Sequence, residues 1–166
     1  MLRAATLKDA ETFVPLRSDV GAQHLLMANP PSSPVNDPLV DAQDWIKRRD
    51  ANGWFRVISG QDGVAAGFTQ IFDIHHKNRT GWFGIALLPY ARGKGLASIT
   101  MTEIEQAARI ELELHKLILY IRSDNTASLR LFDRLEWPQV GRLREHYDDG
   151  ENRHDVIVYE RILVDL

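Results

Sequence analysis

Apolar residues recur along the chain with two different periods, and the alternation between them predicts a mixture of strands and helices. After Lys94 they recur every three or four positions, which predicts one amphipathic helix: Ala97, Met101, Ile104, Ala108 and Leu112. Leu117–Ile121 is instead a continuous apolar run, typical of a strand covered on both faces. Pro30, Pro31, Pro34 and Pro38 exclude a helix through the middle of 18–45, which is predicted to be a surface loop.

Capping and turn residues set the boundaries of the predicted elements. Thr6 and Asp9 form a short variant of the capping box ahead of the first helix. Asp41 is expected to cap a helix that closes at Asn52-Gly53. The predicted order is strand 1–5, helix 6–17, helix 41–51, strands 54–59, 64–72 and 80–88, helix 94–112, strand 117–121, helix 126–135, and strands 140–147 and 153–163, with a polar loop at 73–79 and turns at 60–63 and 148–150.

The connections between these elements predict the fold class. Strands 54–59, 64–72 and 80–88 follow one another through short connections and should form an antiparallel meander. Strands 80–88 and 117–121 flank a helix and should run parallel in a crossover unit. The sequence therefore predicts an α/β fold: one domain over residues 1–166, with a single mixed, mostly antiparallel sheet flanked by helices.

Composition and charge narrow the classes of function. The chain has 166 residues, of which 44% are apolar and 26% charged, as expected for one globular domain. Its net charge of −3 gives no basic surface for nucleic acid or an anionic membrane. The absence of cysteine excludes disulfides and thiolate catalysis, and it favours a cytoplasmic location. No apolar run approaches the roughly 20 residues that span a bilayer.

The most informative stretch is 88–98, a glycine-rich connection between a predicted strand and a helix. Unpaired amides and the dipole at a helix start attract anions, so this loop is a candidate pyrophosphate site with Arg92 and Lys94 beside it. A Walker loop would need glycine where Leu88 stands, and Ser or Thr where Gly95 stands. A Rossmann fingerprint would need an acidic residue at the end of the next strand, where Ile121-Arg122 stands.

A third interpretation fits. The loop resembles the acyl-CoA motif Arg/Gln-x-x-Gly-x-Gly/Ala of the GNAT superfamily of N-acetyltransferases, whose defining positions are occupied here by Arg92, Gly95 and Ala97. Asn125-Thr126-Ala127-Ser128 resembles the second motif of that family, although Asn125 could equally be only a helix cap. The resemblance implies an acyl-CoA N-acyltransferase fold that binds acetyl-CoA. The implied cofactor-binding residues are Ile85, Leu87, Arg92, Gly93, Lys94, Gly95, Leu96, Ala97, Ser98, Asn125 and Phe132.

The closing segment carries a narrower resemblance, to the branch that acetylates ribosomal-protein N-termini and spermidine. It is carried by Gly141–Glu145, Asp149-Gly150 and Asp155-Val156. The resemblance implies that the acceptor is a primary amine: a protein N-terminus, a polyamine or another small amine. The acceptor pocket is expected between the N-terminal helical region, including 30–34, and the hairpin 145–155. A homodimer is left open.

The catalytic groups are less clear. The position where many relatives carry a tyrosine acid is Phe132, so the resemblance makes Ser128 the candidate general acid. Trp82 stands where relatives often carry a glutamate base, which leaves Asp73, His75, His76 and His146 as nearby groups. No metal is expected, because adjacent histidines on extended chain point apart. Two other classes stay open: a GNAT-fold module that binds acyl-CoA without turnover, and a protein that binds a different nucleotide on the same loop.

Overall fold

A computed structural model describes residues 1–28, 36–60 and 62–163. Seven strands form one sheet in the order β1-β2-β3-β4-β5-β7-β6, and all neighbours are antiparallel except β4 and β5. The predicted fold class is thereby confirmed. The strands are β1 (Leu2–Arg3), β2 (Gly53–Ser59), β3 (Ala65–His75), β4 (Thr80–Leu87), β5 (Lys116–Arg122), β6 (Gln139–Asp148) and β7 (Arg153–Ile162).

Within the described residues, five α-helices and two short 3₁₀ turns accompany the sheet. The helices are α1 (Ala10–Ser18), α2 (Val20–Leu25), α3 (Pro38–Ala51), α4 (Leu96–Ile110) and α5 (Thr126–Arg134), and the 3₁₀ turns are Leu7–Asp9 and Pro89–Ala91. The predicted capping interaction precedes α1, where the Asp9 carboxylate accepts a hydrogen bond of 2.8 Å from the Thr6 amide. α4 begins two residues later than predicted, because Gly95 adopts a left-handed conformation and caps it.

Two predictions for the region between α1 and β2 are wrong. The region between the predicted helices 6–17 and 41–51, where only a surface loop is expected, contains α2, which Asp19 caps by accepting a hydrogen bond of 3.0 Å from the Ala22 amide. The helix predicted at 41–51 is α3, and it begins at Pro38, because Asp37 caps it and proline is favoured at the first helical position. Asp41 instead pairs with Arg17 at 3.1 Å. The predicted loop around Pro30–Pro34 lies outside the described residues.

The loop predicted at 73–79 is also shorter than expected. β3 continues to His75 through an irregularity in its pairing with β4, at which Asp73 takes a positive φ of 47°. The extra length carries β3 past Phe72, and Asp73 therefore lies within the strand, at the irregularity, rather than in a free loop.

Each face of the sheet has its own apolar core. One face is covered by α4 and α5 and includes Ile104, Leu119 and Phe132. The other is covered by α1 and α3, where Trp45 and Phe68 meet edge to face with ring centroids 5.0 Å apart. The central strands are packed on both faces by these two cores. The pairing of β4 with β5 is incomplete: it runs only from Thr80↔Lys116 to Phe83↔Leu119.

Candidate active site

The separation of β4 from β5 opens a cavity through the sheet. Beyond Phe83 the second half of β4 has no partner on its β5 side, and backbone groups directed there are free to meet a ligand. A cavity of about 390 Å³ occupies this gap. On the side of α4 and α5 it is lined by Phe83, Ile85, Leu119, Ile121, Asn125, Ser128 and Phe132.

The loop after β4 has the geometry that its glycines predict. Gly93 and Gly95 both have φ of +73°, and no heavy atom lies within 4 Å of a Cβ built on either residue. The loop is exposed from Arg92 to Gly95, and Arg92 is held back against the strand by a hydrogen bond of 2.9 Å from its Nε to the Leu87 carbonyl. The first amides of α4, at Leu96–Ser98, follow directly and have no intrahelical acceptors. The loop therefore presents amides, a helix start and two basic side chains on an open surface.

The start of α5 borders the same cavity. Asn125 caps the helix, with its Oδ1 accepting a hydrogen bond of 3.3 Å from the Ser128 amide. One turn further on, Phe132 is 1% exposed and packs among Phe83, Trp137 and Tyr159. The cap uses the carbonyl oxygen of Asn125 and leaves its amide nitrogen for a ligand, so the two roles weighed for Asn125 are compatible.

The opposite side of the cavity faces α2, α3 and the closing hairpin. Its lining includes Gln23, Leu26, Met27, Ala28, Trp45, Arg49, Gln70, Asp73, Trp82, Tyr120, His146 and Tyr147. Tyr120 packs against Trp82 at 4.3 Å and against His146 at 5.8 Å between ring centroids. This wall is mainly aromatic, with a few polar groups set into it.

One hydroxyl joins α2 to the hairpin across this wall. The Tyr147 hydroxyl lies 2.8 Å from His24 Nδ1 and donates to the Ala28 carbonyl at 3.5 Å. Burial raises the pKa of Tyr147 above its ordinary value. The hydroxyl consequently stays protonated at neutral pH and keeps the 24–28 segment against β6.

Comparison with known proteins identifies the fold and the family. Residues 1–137 match the acetyltransferase (GNAT) domain family. The chain belongs to the GNAT acetyltransferase family. The resemblance of the two sequence motifs to this family is thereby confirmed.

The individual GNAT proteins to which the chain is similar have low sequence identity to it. The chain is 28% identical over 104 residues to an uncharacterised prophage-derived N-acetyltransferase, YokL, of Bacillus subtilis, covering 62% of this chain and 59% of that protein. It is also 28% identical over 96 residues to spermidine N(1)-acetyltransferase of Escherichia coli K12, covering 57% and 52%. The chain thus spans little more than half the length of the curated relatives it matches.

Solved GNAT structures share the fold over nearly the whole chain. Spermidine N-acetyltransferase from Vibrio cholerae, in complex with CoA and spermine, superposes with a TM-score of 0.85 at 19% identity, covering 98% of this chain and 95% of that one. A structure described as a probable acetyltransferase gives a TM-score of 0.78 at 21% identity, covering 98% and 92%. At these identities the likeness establishes the fold.

The GNAT site brings together some of the residues singled out in the sequence and not others. Ile85, Asn125, Ser128 and Phe132 line one cavity, whereas Leu87 and the loop 92–98 continue from the end of β4 beyond its lining. Among the candidate acceptor-side groups, Asp73, Trp82 and His146 also line it. His75 and His76 do not; both are exposed, and His75 Nδ1 accepts a hydrogen bond from the Asn78 amide.

The acidic tip of the hairpin has a structural task. Asp149 accepts hydrogen bonds from the Glu151 and Asn152 amides and contacts His154 at 2.6 Å, and these interactions hold its pKa below the ordinary range. It also lies 3.5 Å from Arg122. Asp149 is therefore committed to the turn, and the hairpin residues that line the cavity are His146 and Tyr147.

Arg49 and Gln70 are lining residues that the sequence patterns did not reveal. Arg49 lies on α3, Gln70 on β3, and a hydrogen bond of 2.6 Å joins them. Neither belongs to a recognisable motif, and their meeting depends on how α3 packs on the sheet. Within the described ranges there is no group of three His, Asp or Glu side chains arranged to hold a metal, and no helix long and apolar enough to cross a membrane.

Proposed function

We propose that residues 1–166 act as one acetyl-CoA-dependent N-acetyltransferase domain whose acceptor is a primary amine. The observation that carries this is the position of the glycine loop: it follows the strand that separates from its parallel neighbour to open the cavity. Acetyl-CoA would place its phosphates on 92–98 and extend its acyl end into the gap, with Asn125 and Phe132 beside the pantetheine arm.

The proposed chemistry is direct transfer. The neutral amine attacks the thioester carbonyl, an N–C bond forms, the C–S bond breaks, and the amine releases one proton while the thiolate accepts one. The segment Ile85–Leu87 of β4 does not pair with β5, and its backbone amides would stabilise the oxyanion. The ring of Phe132 would exclude water from the sulfur without donating a proton. Metal ions take no part in this scheme.

Ser128 is the proposed proton donor to the leaving thiolate. It lines the cavity in the first turn of α5. We expect Ser128→Ala to lower kcat at least about tenfold, since general acid help is typically worth roughly 10²–10⁴-fold. The measurement is free thiol released from acetyl-CoA at saturating amine. Thr126→Ala, on the exposed side of the same turn, is the matched control. An unchanged kcat in Ser128→Ala would assign the proton to solvent.

Tyr147 is proposed to shape the acceptor side only. Removing one hydrogen bond costs about 0.5–1.5 kcal/mol, so Tyr147→Phe should raise the KM for the amine by roughly two- to tenfold and leave acetyl-CoA affinity unchanged. Combining Tyr147→Phe with His24→Phe should cost no more than Tyr147→Phe alone, because the contact between the two side chains is already lost in the single variant. A loss of acetyl-CoA affinity with an unchanged amine KM would contradict this placement.

The deciding experiment is an amine panel of peptides with free N-termini, polyamines and small amines, read as free thiol. Two competing functions give different results. A GNAT-fold binding module would be stabilised by acetyl-CoA and release no thiol with any amine. A protein that binds a different nucleotide on the same loop would be stabilised by NAD or ATP and not by CoA.

A further inference from the structure

Arg49 stands out on the side of the cavity that faces α2, α3 and the closing hairpin, called the acceptor wall below, because it has no ion pair among the described residues. Its side chain is half-buried, lines the cavity, and donates to the Gln70 side-chain oxygen at 2.6 Å. Among residues 1–28, 36–60 and 62–163, no carboxylate lies within ion-pair distance of it. Arg17, on the neighbouring helix, shows the contrast: it pairs with Asp41 and donates to Gln23 at 2.7 Å.

Arg49 is also connected to the point where β4 leaves β5. Its partner Gln70 is the cross-strand neighbour of Gly84, and a Cβ built on Gly84 would lie 3.3 Å from Gln70 Nε2. Gly84 directly follows Phe83, the last residue of β4 that pairs with β5. The side chain of Gln70 therefore links the Arg49 guanidinium to the gap in which the thioester is proposed to lie.

The surroundings favour an anion beside Arg49. Burial, together with the charges of Arg17 and Arg48, lowers the pKa of Arg49, so the charged form is held at a cost that a bound anion would offset. Asp73 is the only carboxylate in the described part of the lining, and it is exposed. The other titratable groups in the described part of the lining are His146, Tyr120 and Tyr147, and burial raises the pKa of Tyr147 so that it stays protonated.

The space available favours a small molecule. The cavity of about 390 Å³ has to hold the acyl end of the donor as well as the acceptor. Most of the wall around Arg49 is apolar or aromatic, including Trp45, Phe68, Phe72 and Trp82. A polyamine would bring several positive charges into this pocket beside an unbalanced cation, whereas a zwitterion with an apolar side chain would match both features.

We propose that the acceptor is a small amine that carries a carboxylate, of the amino acid type, and that Arg49 binds this carboxylate while the amino group lies at the gap between β4 and β5. The proposal rests on the proposed function. A planar guanidinium binds a carboxylate through two parallel hydrogen bonds, and Gln70 fixes its orientation. Arg49 is then the residue that sets acceptor specificity.

The test uses matched acceptors and matched variants. Six amino acids that span side-chain size are compared with their amides and decarboxylated amines, and with spermidine, by kcat/KM from free thiol release. The variants are Arg49→Met, Arg49→Lys and, as a control, Arg48→Met, which alters the exposed neighbour on the same helix. Thermal unfolding and acetyl-CoA affinity establish that each variant is folded. Taurine and aminomethylphosphonate separate a carboxylate from other anions.

For at least one amino acid we expect kcat/KM to exceed that of its amide by about 10²-fold. Arg49→Met should lower the value for the acid by about 10²–10³-fold and change that for the amide less than about threefold, with Arg49→Lys between. Arg48→Met should match the unaltered protein. Preference for amides or spermidine, or an acid activity that survives in Arg49→Met, would overturn the proposal. A preference for taurine or aminomethylphosphonate would overturn the carboxylate assignment.

A binding measurement separates this proposal from the proposed function. The same amino acids are titrated calorimetrically into protein saturated with CoA. Binding of an acid that is lost in Arg49→Met supports the anion site even if no amine is acetylated, in which case the proposed function fails alone. If no acid binds and none is turned over, the anion site is wrong, whatever other amine proves to be a substrate.

Discussion

Acetyl-CoA should bind the Gly95→Asp protein at least about 100-fold more weakly than it binds the unaltered protein. The substitution places a carboxylate on the loop proposed to hold the phosphates. Two like charges about 5 Å apart repel by roughly 3 kcal/mol at an effective dielectric constant near 20, which corresponds to a loss of about two orders of magnitude. Isothermal titration calorimetry with acetyl-CoA measures the effect.

Two further variants separate charge from backbone strain. Gly95→Asn adds a side chain of the same shape without the charge, and asparagine tolerates the φ of +73° at this position better than most residues do. It should keep most of the affinity. Gly63→Asp makes the same substitution at a φ of +78°, in the turn between β2 and β3, and should bind normally. If Gly95→Asp and Gly95→Asn lose affinity equally, the loop does not hold phosphates.

Phe132→Ala is expected to reduce the free energy of unfolding by about 3–5 kcal/mol, the usual cost of removing a fully buried phenylalanine ring. The ring packs against Trp137 at 5.2 Å and against Phe83 and Tyr159 at 6.2 Å between centroids. Urea unfolding followed by tryptophan fluorescence measures the loss. The variant should also be a poor catalyst, because water enters the proposed thioester site.

Two conservative changes at the same position refine the test. Phe132→Leu keeps most of the volume and should cost less than about 1.5 kcal/mol. Phe132→Tyr adds a hydroxyl at the position where the family resemblance implies a tyrosine in many relatives, and it should remain active. Burial together with the hydrogen bond to Asp133 raises the pKa of Tyr159 to about 12, so that neighbouring phenol is not a ready substitute acid. Full activity in Phe132→Ala would show that the ring is not at the reaction centre.

Local signals were predictable from the sequence, and pairings between distant segments were not. The turn at Gly93–Gly95 and the cap at Asn125 depend on a few neighbouring residues, so composition and spacing were enough to locate them. Asp37-Pro38 carries a local signal of the same kind, an Asp cap followed by a proline that is favoured at the first helical position although it breaks a helix interior. α2 is only six residues long and lacks a clear apolar stripe.

The acceptor wall shows the limit of such reasoning. Arg49 and Gln70 are separated by 21 positions, and His24 and Tyr147 by 123. The two residues of each pair meet only because the fold brings their helices and strands together. No periodic pattern in either segment specifies the partner. The same holds for the end of β4–β5 pairing at Phe83↔Leu119, which defines the cavity and has no signature in either strand.

The strand order has a consequence for how the molecule folds. β7 lies between β5 and β6, so β5 gains its second neighbour only from residues 153–162, which are synthesised after every other strand of the sheet. A nascent chain made as far as β6 therefore exposes the hydrogen-bonding edge of the apolar strand Lys116–Arg122, and such an edge can recruit strands from other chains. The long sequence separations in this part of the sheet also slow its formation. The dependence of folding on chaperones, and the aggregation of prematurely terminated chains, should accordingly be determined by this last hairpin rather than by the motifs that mark the family.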